Sequence, residues 1–80
     1  MNILFFGRLR DLAGGRDFAP PAGVHTLGEL RDWIASRDDA LGEALNAKGV
    51  KIALNQEIVD ASRTFTASDE IAFLSPLSGG

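Results

Sequence analysis

Side-chain chemistry needs a nucleophile, a tunable acid or base, or a cluster of ligands, and this 80-residue sequence offers few of them. It has no cysteine and one histidine, His25. Thiolate catalysis, disulfides and thiolate metal sites are therefore excluded, and His25 cannot build a histidine metal site alone. The serines and threonines have no further histidine to activate them. Two acidic pairs, Asp38-Asp39 and Asp69-Glu70, occupy adjacent positions. Neighbours in sequence do not face each other on a helix. Asp38-Asp39 fits the acidic start of a helix, and Asp69-Glu70 fits a turn entering a strand. No phosphate-binding GxxxxGK[ST] or GxGxxG pattern is present, and Gly14-Gly15 reads as a turn. Arg8 and Arg10 read as rim charges able to guide docking, Trp33 as core or helix flank.

One reactive group remains, the α-carboxylate of Gly80, at the end of FLSPLSGG (residues 73–80). With glycine at about 7% of residues, a terminal pair arises by chance in roughly one chain in 200. Glycine has no Cβ, so it enters a narrow channel and adopts backbone angles closed to other residues. Its carbonyl is sterically open. Ser75, Pro76, Leu77, Ser78, Gly79 and Gly80 carry no charged side chain to desolvate. Extended, six residues reach about 20 Å. Pro76 stiffens the base and lowers the entropy lost on insertion. The expectation is a tail threaded into another protein's active site, on a chain divided into a folded part (1–74) and a flexible tail (75–80).

The rest of the chain must hold that tail. Residues 3–6 (ILFF) are apolar on both faces and read as a buried central strand. Leu9 and Leu12 suit a short helical turn, stopped by Gly14-Gly15. Residues 16–19 read as a second strand at an edge, ended by Pro20-Pro21. Thr26 and Glu29 have capping-box spacing. Leu27, Leu30 and Ile34 then recur at helical intervals beside Trp33. Leu41 and Leu45 mark a second helical piece over 39–47, stopped by Gly49. Val50, Ile52 and Leu54 alternate as a strand. Asn55-Gln56 is a turn into a short return strand, 57–59. Residues 70–74 form the last strand, with Ile71 and Phe73 on one face and Ala72 and Leu74 on the other. The order implies an α+β fold, with a main helix on one face of a mixed sheet whose first and last strands are central and parallel. The ubiquitin-like β-grasp has this layout and leaves the C-terminus projecting from the last central strand.

Composition limits the partners. The net charge is −3, with 45% hydrophobic and 24% charged residues. A mildly acidic chain is a poor match for nucleic acid, which wants clustered Lys and Arg. The apolar run near the start is too short to span a membrane, and no signal peptide is expected. The expected location is the cytoplasm.

The segments ILFFGRLRDLAG (3–14), IALNQEIV (52–59) and DEIAFLSPLSGG (69–80), with the helix TLGELRDWI (26–34), resemble the small-subunit family of molybdopterin synthase, the MoaD-like sulfur carriers. The resemblance spans nearly the whole chain. It implies a carrier cycle. A MoeB-like adenylyltransferase, similar to ubiquitin-activating enzymes, uses MgATP to adenylate Gly80. A sulfur donor converts the end to a thiocarboxylate. The charged carrier docks on a large, MoaE-like subunit in a heterotetramer and donates sulfur to the pyranopterin precursor of the molybdenum cofactor. By position, Gly79 and Gly80 are the working end, and Phe6, Ile58 and Leu74 match apolar positions that pack on the large subunit. Family tails commonly read FPPV where this chain reads LSPL, so Leu74 and Ser75 are departures. Two other roles fit a terminal glycine pair: a ThiS-like carrier of thiamine biosynthesis, and a ubiquitin-like protein modifier. The resemblance implies no metal or cofactor bound by the chain itself.

Overall fold

The computed structural model describes residues 2–76. Its elements are β1 (Asn2–Phe6), α1 (Arg8–Ala13), α2 (Leu27–Arg37), α3 (Asp39–Leu45), β2 (Lys51–Leu54), β3 (Glu57–Val59) and β4 (Glu70–Leu74). The four strands form one sheet in the order β1-β4-β2-β3. β1 runs parallel to β4, in register from Asn2 opposite Glu70 to Phe6 opposite Leu74. β2 is antiparallel to both β4 and β3. This mixed sheet with helices on one face is an α+β, ubiquitin-like β-grasp.

Local chemistry sets the helix ends. Thr26 Oγ1 accepts from the Glu29 amide at 3.1 Å, and Glu29 Oε1 accepts from the Thr26 amide at 2.9 Å, a complete capping box. Asp38 ends α2 and caps α3, its carboxylate accepting from the Leu41 amide at 3.0 Å. The same carboxylate pairs with Arg16. Those hydrogen bonds hold the Glu29 and Asp38 carboxyls below their usual range. For Glu29 the amides of Thr26 and His25 dominate; for Asp38 the Leu41 amide leads, followed by Arg16.

The core lies between the inner sheet face and the helices. Leu9, Leu27, Leu30, Ile34, Leu41, Leu45, Ile71 and Phe73 are fully buried there. Side-chain alternation puts Ile3, Phe5, Ile52, Leu54 and Val59 against the same core. Asn55 and Gln56 take positive φ of 51° and 70°, the two-residue turn that matches strand twist in a hairpin.

One expected element is missing, and it changes the place of β1. Residues 16–19 form no strand. Phe18 instead turns inward and is 7% exposed. Its ring packs edge-on against Phe5 at 5.8 Å and Trp33 at 6.2 Å between centroids. Pro20 and Pro21 have no amide hydrogen for a ladder. The segment is thus held by rings rather than by backbone pairing. β4 is central as the sequence implies, but β1 is the outermost hydrogen-bonded strand on its side.

Candidate functional site

Alternation leaves a second set of side chains on the sheet face away from the helices. Leu4, Ala72, Ala53 and Ile58 form one row across the four strands, each opposite its neighbour in the register. Phe6, Leu74 and Lys51 form the next row. Phe6 is 47% exposed and Ile58 is 59% exposed, the large apolar side chains most open to water among the described residues. An apolar face of this kind marks an interaction surface. Two alanines occupy its centre, flanked by Leu4 and Ile58, so its middle is shallow. Phe6, Ile58 and Leu74, picked out in the sequence, therefore share one face. For Phe6, a place in the core is ruled out by its exposure. Leu4 is half-buried beside them, and Ala53 and Ala72, 6% and 7% exposed, floor the face between. Their signal was the strand period itself, read from the outer side.

The face adjoins the start of the tail. Leu74 ends β4, and Ser75 follows it, partly buried. The Ser75 hydroxyl accepts from the Arg8 amide at 3.0 Å and donates to the Phe6 carbonyl at 3.2 Å. A groove of about 1230 Å³ opens beside the tail base, lined by Leu12, Ala44, Ala47 and Val50 along with Ser75 and Pro76. Leu77, Ser78, Gly79 and Gly80 lie outside the described residues.

The side chains weighed for chemistry are placed elsewhere. His25 is exposed, and its backbone amide donates to Glu29 Oε1 at 2.9 Å. Asp38 is a helix cap. Asp69 accepts from Asn55 Nδ2 at 3.0 Å and from the Thr66 amide at 2.8 Å, which lowers its pKa, the Asn55 bond contributing most. Trp33 is half-buried, with the Arg37 guanidinium 5.3 Å above its ring. Among the described residues no group of three His, Cys, Asp or Glu could hold a metal ion. No helix there is long and apolar enough to cross a membrane.

Comparison with known proteins covers the whole chain. The ThiS family model matches residues 3–80. The molybdopterin synthase sulfur carrier subunit of Escherichia coli (strain K12) is 32% identical over 80 residues, covering 100% of this chain and 99% of the relative. The subunit of the same description from Haemophilus influenzae is 30% identical over 80 residues, with the same coverage of 100% and 99%. The crystal structure of SAMP1 from Haloferax volcanii superposes with a TM-score of 0.78 at 25% identity, covering 98% of this chain and 96% of that one.

Proposed function

The chain belongs to the ThiS family, and from that premise we propose that it is the sulfur carrier of molybdenum cofactor biosynthesis. The observation that carries this reading is the end-to-end match to sulfur carrier subunits at 32% and 30% identity. In this role Gly80 is the reacting residue. Its carboxylate attacks the α-phosphorus of MgATP on an adenylating enzyme and displaces pyrophosphate, leaving an acyl-adenylate. A sulfur donor then displaces AMP, leaving a thiocarboxylate. The carrier presents this sulfur to the pyranopterin precursor inside a large synthase subunit, two of each chain assembling together in the cytoplasm. The exposed face around Phe6, Ile58 and Leu74 is the docking surface; Ser75 and Pro76 form the base of the tail, and Leu77 to Gly80 are threaded. The body supplies no acid, base or metal to the reaction. It holds and delivers the end.

The test is the intact mass of the full chain after incubation with the adenylating enzyme, MgATP and a sulfur source. A gain equal to the difference between sulfur and oxygen, confined to the C-terminal peptide, is expected. Absence of that gain with an enzyme active on its own carrier sinks the reading. Retrieval of a thiazole synthase instead of a large pterin-synthase subunit would redirect it to thiamine. Isopeptide adducts on lysines would redirect it to protein modification.

A further inference from the structure

The turn between β1 and α1 is built around a residue that lies 67 positions away. Gly7 sits at φ 64° and ψ −139°, a conformation essentially confined to glycine. As the first cap of α1 it supplies no side-chain hydrogen bond. The free amide of Arg8, which a helix start must satisfy, is satisfied by the Ser75 hydroxyl instead. The same hydroxyl donates to the Phe6 carbonyl, so it bridges the groups on both sides of Gly7. The fit is close: a Cβ on Gly7 would lie 2.1 Å from Ser75 Oγ. The next residue, Pro76, is exposed and rests on the body through one contact. Gly49, at φ 92°, lies against the Pro76 ring, and a Cβ there would come within 2.8 Å of Pro76 Cγ.

We propose that Ser75 is a positioning residue for the carrier reaction: its hydroxyl, with Pro76 seated on Gly49, fixes the direction in which the backbone leaves the sheet. The proposal rests on the carrier reading. It assigns a function to Ser75, one of the two departures from the tail that the resemblance implies. A proline ring fixes backbone direction covalently; here a hydroxyl shared between two backbone groups does so. It also sets the working length. Measured from Pro76 rather than from Leu74, four residues remain, which span at most about 14 Å. The partner channel that suits this carrier has its reacting centre within that depth of its mouth.

The experiment uses the full chain with the adenylating enzyme and MgATP, comparing the unaltered protein with Ser75→Ala and Ser75→Thr. Releasing one ordered residue raises the entropy lost on insertion, so Ser75→Ala is expected to raise the KM for the carrier about tenfold with kcat within about twofold. Ser75→Thr keeps the hydroxyl and is expected to stay within about threefold of the unaltered KM. An unaltered KM in Ser75→Ala, a loss that falls on kcat, or a Thr variant as impaired as the Ala variant overturns the assignment. Hydrogen exchange at the Arg8 amide reads the clamp directly. It is expected to quicken at least about tenfold in Ser75→Ala while core amides keep their protection. Equal Arg8 rates overturn the clamp whether or not the chain is adenylated. No adenylation of the unaltered chain overturns the carrier reading and the insertion role with it, and the exchange rates tell that failure from a failure of the clamp.

Discussion

Phe6 and Ile58 take no part in the core cluster. Each is about half open to water, on the face away from the core. Truncating a large apolar anchor at the centre of an interface typically costs 2 kcal/mol or more of binding, about thirtyfold, while exposed substitutions shift stability by about 0.5 kcal/mol or less. Phe6→Ala and Ile58→Ala should therefore each weaken binding of the large synthase subunit by at least about tenfold and leave thermal unfolding nearly unmoved. Titration calorimetry beside a melting curve checks both. Undiminished affinity in both variants would remove the outer face from the docking surface. The exposure was legible only in part, since residues 3–6 read as buried on both faces whereas Phe6 is 47% exposed. Strand alternation assigns Leu74 and Phe6 to the side opposite Phe73 and Phe5. The Ser75 clamp was not, because a hydrogen bond from residue 75 to the turn at residue 7 leaves no local pattern.

At the scale of elements, the α2 start is the sturdiest reading from sequence, and the structure completes it with both bonds of the box. Thr26→Ala removes the acceptor for the Glu29 amide. The expected loss is about 1 kcal/mol, a fall in melting temperature of about 4–8 °C for a domain of this size. Thr26→Ser should recover most of it; equal melting of Thr26→Ala and the unaltered chain would show that the box carries no weight. The segment between α1 and α2 is where local reading failed. Of its residues before the prolines only Phe18 favours a strand, Pro20 and Pro21 deny it a ladder, and Phe18 packs between Phe5 and Trp33. The hairpin at Asn55-Gln56 went the other way. Asn55 tolerates positive φ, and its side chain also accepts from the Glu70 amide at 2.9 Å, tying the turn to the start of β4.

Four surface carboxylates tie the stability of the whole molecule to pH. Glu29, Asp38, Asp60 and Asp69 all have lowered pKa values: Glu29 and Asp38 chiefly from backbone amides, Asp60 from the Ser62 hydroxyl, Asp69 from the Asn55 amide group. A carboxyl depressed in the fold binds its proton more readily when unfolded. Its contribution is complete above the unfolded value and lost as pH falls through the folded one. Melting temperature should stay level from about pH 7 to about pH 5 and fall below that, as followed by circular dichroism. A melting temperature that holds or rises on acidification would contradict these assignments. The ring contacts around Phe18 have a further use. The chain contains one tryptophan and no tyrosine, so its indole emission comes from Trp33 alone, a half-buried ring touching Phe18 on the helix side of the sheet. A partner settling on the opposite face leaves that emission unchanged, whereas loosening of the segment around Phe18 alters it. The unlabelled protein thus carries its own optical reporter, one that separates docking from unfolding.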